Sequence, residues 1–242
     1  MADKSRNTDG FFDHFSRGDT PTKAGRSLVI ALARKLFAST EVSEGASVLE
    51  IGPGRGDFAD ICLKQGIDYT AVEANQCMAE SLEKRGATVI RAKVPPLPAV
   101  DKQFDAVAMI NVMEHMSTMP DAMEVARQVH EILKPGGRFL ICSPDYLNWR
   151  KHFFNCDFSH NYVTTRRRLE QLLINAGFAQ PSSFHTCGPF DGMACYFMSS
   201  LIGHMPFASL NSAFPNSRFC YKLYKSQLTF LRKVVVVGKK PA

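Results

Sequence analysis

Three glycines and one carboxylate have the types and spacing needed to hold a ribose-bearing ligand. Gly52, Gly54 and Gly56 lie where a buried strand pattern changes into a helical pattern. Glycines let the backbone approach a ligand closely, and the helix that follows presents its free amide groups. Glu73 comes 21 residues after Gly52, at the end of the next strand pattern, from which a carboxylate can accept hydrogen bonds from a ribose diol.

The order of these glycines disfavours NAD. A dinucleotide-binding loop reads GxGxxG and would need a glycine at position 57, where this chain has Asp57. A carboxylate at that position would also repel a pyrophosphate bound at the N-terminus of the helix. The loop instead reads GxGxG, because Gly56 stands one position earlier.

The elements that must position these residues follow from an alternation of short β-branched runs with helical patterns. This alternation predicts an α/β fold, a doubly wound parallel sheet with helices on both faces. Strands are predicted at residues 47–51, 69–73, 88–92, 104–111, 138–143, 183–187 and 231–239. Helices are predicted at residues 22–38, 57–65, 76–85 and 120–133, and from a cap at Thr164 or Thr165 to Gly177.

Length and composition indicate one globular domain that spans residues 1–242. The chain is 45% apolar and 21% charged, which is ordinary for a protein with a buried core. Residues 1–9 lack the apolar core of a signal peptide and no apolar stretch is long enough to span a membrane, so we expect a cytoplasmic location. The seven cysteines form no CxxC pair, and we therefore predict reduced thiols and no metal site.

The net charge of +6 has two interpretations. The small basic clusters at residues 166–168, 232–233 and 239–240 would form a nucleic-acid footprint only if they shared one face of the molecule. Solvated ends of helices and strands explain the same clusters more simply, and we favour this second interpretation.

Several motifs taken together resemble the class I S-adenosylmethionine (SAM)-dependent methyltransferases. They are Glu50-Ile-Gly-Pro-Gly-Arg-Gly56, Glu73, Phe104-Asp-Ala-Val107, Asn111-Val-Met-Glu-His115 and Leu133-Lys-Pro-Gly-Gly137. Their order and spacing match the family from about residue 45 to residue 145, which marks a SAM-binding core. The resemblance implies a Rossmann-like, mostly parallel sheet of seven strands with an antiparallel last strand, and residues 231–239 are similar to that strand.

The same resemblance implies SAM as the methyl donor and S-adenosylhomocysteine as the product. The donor-site residues that it implies are Glu50, Gly52, Pro53, Gly54 and Gly56 around the methionine part, Glu73 on the ribose, Ala74 and Asn75 against the adenosine, and Asn111 beside the sulfonium. The chain departs from the family at Lys93, which stands where an acidic residue usually receives the adenine amino group.

A second resemblance concerns the acceptor. Residues 157–164, with the helix that ends near residue 178, look like a block found in the small-molecule and carbohydrate-directed branches of the family, where it often faces the acceptor. His160 is therefore our candidate for a catalytic base that removes a proton from a hydroxyl or an amine. His115, Asp145 and Glu114 are other candidates, and a structural role for His160 is also open.

Two further segments flank the predicted core. Residues 1–40 form an N-terminal cap that includes a polar arm at residues 10–20, and residues 188–228 form an insertion between the last two strands. The insertion is rich in Phe, Tyr and Met and is longer than a usual connection. Three roles for it are open: a roof over an apolar acceptor pocket, a contact in a homodimer, and packing on the sheet.

We therefore predict a SAM-dependent methyltransferase that acts on an oxygen or nitrogen atom of a small or medium-sized acceptor, apolar or glycosidic in character. The N-terminal arm, residues 144–162 and the insertion would form the acceptor site. Methylation of RNA or DNA is an alternative, which is disfavoured because residues 110–113 lack the Asn/Asp-Pro-Pro-aromatic tetrad that stacks a flipped base. A non-catalytic SAM-binding module is a second alternative, disfavoured because the glycine loop and Glu73 are intact.

Overall fold

The computed structural model describes residues 23–242, and an eight-stranded sheet forms its centre. The strands are β1 Ser47–Ile51, β2 Asp68–Glu73, β3 Thr88–Arg91, β4 Phe104–Ile110, β5 Leu133–Pro144, β6 Ala179–Cys187, β7 Phe190–Asp191 and β8 Lys233–Lys239. Their order across the sheet is β3-β2-β1-β4-β5-β8-β6-β7. Strands β1 to β5 are parallel, whereas β8 is antiparallel to both β5 and β6. The predicted α/β fold with an antiparallel closing strand is confirmed.

Helices cover both faces of this sheet. They are α1 Lys23–Thr40, α2 Asp57–Lys64, α3 Gln76–Glu83, α4 Met119–Ile132, α5 Tyr146–Trp149, α6 Lys151–Asn155, α7 Arg166–Asn175, α8 Gly192–Ile202, α9 Phe207–Ala213 and α10 Arg218–Phe230. A 3-10 turn, Met113–His115, follows β4. The predicted polar arm at residues 10–20 lies outside the described residues. Within residues 23–242, no helix has the length and apolar character needed to cross a membrane.

The central strands are buried on both faces, which explains their continuous apolar sequences. Successive side chains of a strand point to opposite faces. Leu49 and Ile51 of β1 accordingly pack in the core under α4 and α7, whereas Val48 packs in the core under α1 and α2. Because β1 is parallel to both β2 and β4, the carboxyl ends of these three strands meet at one edge of the sheet.

The structure distinguishes between the two predicted caps of α7. The hydroxyl oxygen of Thr165 accepts a hydrogen bond from the backbone N–H of Arg168 at 3.3 Å, so Thr165 is the cap. Thr164 instead donates its hydroxyl to the carbonyl oxygen of Pro144 at 2.7 Å. This bond attaches the segment before α7 to the end of β5.

Strand β5 begins earlier than predicted, at Leu133, which pairs with Phe104. Residues 134–137 then bulge out of the ladder before pairing resumes. Glycine is required inside this bulge, because a Cβ on Gly137 would lie 2.8 Å from the carbonyl oxygen of Lys134. The Lys-Pro-Gly-Gly motif, which lies between the predicted helix at residues 120–133 and the predicted strand at residues 138–143, is a β-bulge within the strand.

The insertion between β6 and β8 folds into three helices, α8 to α10, and one short strand. Because β7 pairs with the end of β6, the sheet has eight strands and the predicted number of seven is wrong by one. The hydroxyl of Ser199 donates to Oδ1 of Asn148 at 3.2 Å, and the same oxygen accepts from the backbone N–H of Arg232 at 2.8 Å. The insertion is therefore attached to the segment that follows β5.

One buried side chain holds the insertion helices together. Gln227 of α10 is 1% exposed, and its Nε2 donates to the carbonyl oxygens of Gly203 at 2.9 Å and Met205 at 2.6 Å. Its Oε1 accepts from the backbone N–H of Ala208 at 3.1 Å. All three partners lie between the end of α8 and the first turn of α9, so Gln227 fixes the path of the chain there.

We expect Gln227→Ala to lower the free energy of unfolding by about 3 kcal/mol, because three hydrogen bonds are lost and their backbone groups are left without this partner. Denaturant unfolding followed by circular dichroism measures the loss. The matched control is Gln171→Ala on an exposed position of α7, for which we expect a change below about 0.5 kcal/mol. Equal losses in the two variants would contradict the anchoring role of Gln227.

Candidate active site

The glycine loop lies where β1 ends, and its three glycines serve different purposes. All three have positive φ, at 67° for Gly52, 54° for Gly54 and 77° for Gly56. A Cβ on Gly52 would lie 2.6 Å from the side chain of Val112, and one on Gly56 would lie 2.7 Å from that of Leu82. These two glycines are therefore needed for packing. A Cβ on Gly54 would meet no described atom within 4 Å, which leaves space for a ligand.

Glu73 comes from the end of β2 and contacts this loop. Its Oε1 accepts a hydrogen bond from the backbone N–H of Asn75 at 2.8 Å, and its Oε2 accepts from that of Gly54 at 3.2 Å. Burial raises the pKa of this carboxyl, and the backbone N–H groups oppose the rise. Pro53 is buried, and its carbonyl oxygen accepts from the N–H of Gly56 at 2.9 Å. The loop and the acid that we expected to form a ribose site are thus in direct contact.

The side chain of Glu50 points toward the face of the sheet covered by α1 and α2. It is 2% exposed, and its Oε2 accepts a hydrogen bond from the hydroxyl of Tyr69 at 2.6 Å. Burial raises the pKa of Glu50 to about 8, and the nearby carboxylates of Glu73 and Asp57 raise it further against the effect of the Tyr69 hydroxyl. Glu50 therefore supports the loop from within the core, and its contact with a ligand stays a prediction.

The raised pKa of Glu50 predicts that stability falls as the pH rises from about 4.5 to about 8. The folded protein keeps a proton on this carboxyl up to about pH 8, whereas the unfolded chain releases it near 4.5. Stability that is present at the acid end is therefore lost across this interval, by up to about 1.4 kcal/mol per pH unit. Denaturant unfolding measured at several pH values across this range should show that the free energy of unfolding falls less steeply with pH for Glu50→Gln than for wild type.

The control for this measurement is Glu44→Gln, which changes an exposed carboxyl before β1. We expect it to keep the slope of the wild-type protein, whereas Glu50→Gln should be the more stable of the three proteins at about pH 8. If the free energy of unfolding changed with pH in parallel for wild type and Glu50→Gln, this would contradict a protonated Glu50 in the folded state.

The residues predicted to lie against the adenosine follow β2. Asn75 is buried, and its Oδ1 accepts from the backbone N–H of Met78 at 3.0 Å, which caps α3. The backbone N–H of Ala74 also faces the Glu73 carboxyl and lowers its pKa. Lys93 follows the end of β3 by two residues. The side chain of Asn75 thus holds the turn between β2 and α3 in place.

Asn111 follows β4 in the left-handed conformation, with φ at 53°. Asparagine tolerates this conformation better than most residues. Its backbone N–H donates to the carbonyl oxygen of Cys142 at 2.8 Å, and its Oδ1 accepts from Nζ of Lys233 at 2.8 Å. Lys233 was not among the predicted site residues, because nothing in the first position of a strand signals a contact 122 residues away.

Three of the acceptor-side candidates come together beyond β4. Glu114, His115 and His160 each offer one nitrogen or oxygen atom, and these atoms lie within 4.8 Å of one another. The backbone N–H groups of Asn161 and Tyr162 donate to the carbonyl oxygen of Glu114, both at 3.0 Å. These two bonds hold the segment that contains His160 against the end of β4.

Glu114 is buried, with 1% of its surface exposed. The hydroxyl of Ser143 donates to Oε2 of Glu114 at 2.9 Å, whereas Oε1 is buried and has no hydrogen-bond partner among the described residues. Burial raises the pKa of this carboxyl to about 7. The group can therefore exchange a proton near neutral pH.

His160 is enclosed by aromatic rings. Its ring centroid lies 4.9 Å from that of His115, edge to face, and 4.8 Å from that of Phe153. Its Nδ1 lies 2.6 Å from the carbonyl oxygen of Phe153, and because a carbonyl only accepts, Nδ1 carries the proton of the neutral ring. Burial lowers the pKa of His160, so the ring is neutral at pH 7 and its Nε2 holds a lone pair.

Asp145 does not belong to this cluster. It caps α5, and its Oδ2 lies 3.3 Å from Nε2 of His185 on β6. A base at Asp145 would therefore act beside β6 rather than beside Glu114. The structure brings together Glu114, His115 and His160 and separates Asp145 from them.

The comparison with protein families gives one match that covers most of the chain. A sequence model of a family described as methyltransferase domain matches residues 25–180. This range includes the glycine loop, Glu73, Asn111 and the Glu114–His160 cluster. It ends before the three-helix insertion.

Curated relatives match over shorter stretches. An uncharacterized protein of Mycobacterium tuberculosis (strain ATCC 25618 / H37Rv) is 31% identical over 147 residues, which covers 57% of this chain and 49% of the relative. An uncharacterized methyltransferase of Mycobacterium sp. (strain JLS) is 31% identical over 103 residues, which covers 41% of this chain and 40% of the relative. The chain thus spans about half of the length of these relatives, or less.

Solved structures share the fold at low sequence identity. A SAM-dependent methyltransferase from Archaeoglobus fulgidus aligns with a TM-score of 0.61 at 19% identity, covering 96% of this chain and 99% of that one. Haemonchus contortus phosphoethanolamine N-methyltransferase 2, solved in complex with S-adenosyl-L-methionine, aligns with a TM-score of 0.65 at 18% identity, covering 96% and 60%. The family match over residues 25–180 shows that this chain belongs to the methyltransferase-domain family, and the solved structures show that it shares the fold of SAM-dependent methyltransferases.

Proposed function

We propose that this chain transfers the methyl group of SAM to an oxygen or nitrogen atom of a small or medium-sized organic acceptor and releases S-adenosylhomocysteine. The observation that carries the proposal is the contact between Glu73 and the N–H of Gly54. It joins a carboxylate suited to a ribose diol to a loop that has open space for a ligand.

The residues around the loop fit this donor. The two oxygens of Glu73 are held by backbone N–H groups, and each could accept a second, charge-assisted hydrogen bond from a ribose hydroxyl. The space beside Gly54 suits the methionine part, and Asn111 at the end of β4 would lie beside the sulfonium. When bound, SAM supplies an activated methyl group, so the protein mainly has to align the acceptor and exclude water.

His160 is the proposed base for an acceptor that must lose a proton. Its neutral ring and the lone pair on Nε2 suit this role, and the segment that carries it is held against the end of β4. We expect His160→Ala to spare SAM binding and to lower turnover of a hydroxyl acceptor. Full turnover in this variant would leave His160 with a structural role only.

The acceptor site is proposed to lie between residues 144–162 and the insertion. The bond between Ser199 and Asn148 shows that these two segments touch. Both segments carry large apolar side chains with more than a third of their surface exposed, including Leu147, Phe154, Phe158, Met193, Tyr196, Phe197, Leu201, Phe214 and Phe219. These side chains favour an acceptor with an apolar part, and a homodimer contact is their alternative use.

Calorimetric titration with SAM, S-adenosylhomocysteine and NAD in parallel tests the donor. We expect binding of the first two ligands only. Binding of NAD alone would overturn the methyltransferase function for this chain. Transfer of a labelled methyl group to pools of phenols, amines, glycosides and RNA then tests the acceptor, and transfer to RNA alone would overturn the small-molecule proposal. SAM binding without transfer to any pool would favour a non-catalytic module.

A further inference from the structure

We infer that Glu114, His115 and His160 form a binding site for a divalent transition-metal ion such as Zn²⁺. Two imidazole nitrogens and one carboxylate oxygen are a ligand set that Zn²⁺ and related ions accept while keeping positions open for another ligand. The cysteine pattern predicted no metal site, but this site uses no cysteine and unites residues that are far apart in the sequence. One ligand atom from each residue already lies within 4.8 Å of the others.

The distances require only a small adjustment. Nitrogen and oxygen ligands lie about 2.0–2.2 Å from Zn²⁺, so two ligands of one tetrahedral ion stand roughly 3.4 Å apart. Side-chain rotations that shorten each separation by at most about 1.4 Å would bring atoms now within 4.8 Å to that spacing. The backbone is already fixed, because the chain around His160 is hydrogen-bonded to the carbonyl of Glu114.

The unpaired oxygen of Glu114 is the independent observation that points to a ligand. Oε1 is buried and has no hydrogen-bond partner among the described residues, whereas Oε2 is held by Ser143. A buried carboxylate oxygen without a partner is costly, and buried carboxylates usually find a cation or a donor. A metal ion between Glu114 and the two rings would satisfy this atom.

Both histidine rings are hydrogen-bonded in the way that prepares Nε2 for a metal. Nδ1 of His160 must donate to the carbonyl oxygen of Phe153, so Nε2 is unprotonated in the neutral ring. Nδ1 of His115 lies 2.8 Å from Oγ of Ser159, whose own proton goes to Asp157 at 2.6 Å. The Ser159 oxygen therefore accepts from Nδ1 of His115, and Nε2 of that ring is also unprotonated. Such partners on the remote nitrogen orient metal-binding histidines.

The inference also names an acceptor chemistry, and this part rests on the proposed function. A bound ion would take an acceptor hydroxyl oxygen at an open position and lower its pKa, so the hydroxyl releases its proton to water. The O–CH₃ bond then forms as the S–CH₃ bond breaks, which balances the reaction without an oxidant. His160 would act as a ligand in this case, and the ion would replace it as the group that promotes loss of the proton.

The test is titration of the chelator-treated, full chain with Co²⁺, followed by visible absorption, and with Zn²⁺ by equilibrium dialysis. We expect one ion per chain, with binding weakened at least about tenfold in Glu114→Gln and in His160→Gln. Glu114→Gln keeps the side-chain volume and an acceptor for Ser143. The controls are His204→Gln, outside the cluster, and Cys77→Ser, which removes an exposed thiol, and both should bind like wild type.

The outcomes separate this inference from the proposed function. Wild-type protein that binds SAM but takes up no Co²⁺, or that binds Co²⁺ as weakly as the folded Glu114→Gln and His160→Gln variants, overturns the metal site alone. Loss of binding in Cys77→Ser assigns the ion to a thiolate and also overturns it. Metal binding without SAM binding overturns the methyltransferase proposal alone. If one variant does not fold, the metal affinity of the other variant tests the site. The visible absorption spectrum of Co²⁺ bound to wild-type protein then tests whether nitrogen and oxygen atoms are its ligands.

Discussion

Gly54→Val should remove SAM binding and leave the fold in place. A Cβ at this position points into space that no described atom fills, so the two methyl groups of valine would occupy the volume proposed for the ligand. The positive φ of 54° adds a backbone cost of about 1–2 kcal/mol for a residue other than glycine. We expect the Kd for SAM to rise at least about 100-fold, which corresponds to roughly 2.7 kcal/mol. Calorimetric titration measures it.

The chain offers a matched control for the backbone cost. Gly45 also has a positive φ, 81°, and a Cβ there would also meet no described atom within 4 Å. It precedes β1, at the opposite end of the strand from the glycine loop. Gly45→Val should therefore lose a similar amount of stability and keep the SAM affinity of wild type. Equal SAM affinities for the two variants would show that the ligand does not lie beside Gly54.

Glu73→Ala should weaken SAM binding by roughly 100-fold or more. Its two oxygens would accept hydrogen bonds from the two ribose hydroxyls, and a hydrogen bond to a charged group contributes about 1.5–3 kcal/mol. Ala also leaves the N–H groups of Gly54 and Asn75 without the partner that orders the loop. Glu73→Gln keeps one acceptor oxygen and should give an intermediate affinity.

A ligand variant separates ribose recognition from a general disturbance of the loop. The 2′,3′-dideoxy analogue of S-adenosylhomocysteine lacks the hydroxyls that Glu73 is proposed to bind. Wild-type protein should bind this analogue much more weakly than S-adenosylhomocysteine, whereas Glu73→Ala should bind the two ligands about equally. The same loss of affinity for the analogue in both proteins would assign Glu73 to loop structure and not to the ribose.

Much of the proposed SAM site was predictable, because the glycine loop and Glu73 lie within about 25 residues of one another in the sequence. Strand β1 has its predicted bounds, Ser47–Ile51, since the apolar run stops at the glycine loop. The contact between Gly54 and Glu73 follows from two neighbouring parallel strands that end at the same edge. The role of Tyr69 under Glu50 was missed, because strand alternation places the two on one face without showing that they bond.

The proposed acceptor site could not be predicted from sequence patterns, because its residues are brought together by contacts between distant segments. Glu114 and His160 meet only because the backbone of residues 161–162 is bonded to the carbonyl of Glu114. Helix α8 gave no helical signal, since its sequence is apolar on nearly all sides and shows no period of 3.6 residues. The single-domain organisation, the cytoplasmic location, the homodimer contact and the nature of the acceptor stay predictions.

The place of β8 in the sheet sets the order in which the nascent protein can be completed. Strand β8 is made after β6, β7 and the insertion helices, yet within residues 23–242 the partners of β6 are β7 and β8, and β5 pairs with β8 on one side. Until the ribosome has supplied residues 233–239, β5 and β6 present open edges and uncovered apolar side chains. The centre of the sheet therefore closes only once residues 233–239 have been made, when β8 pairs between β5 and β6.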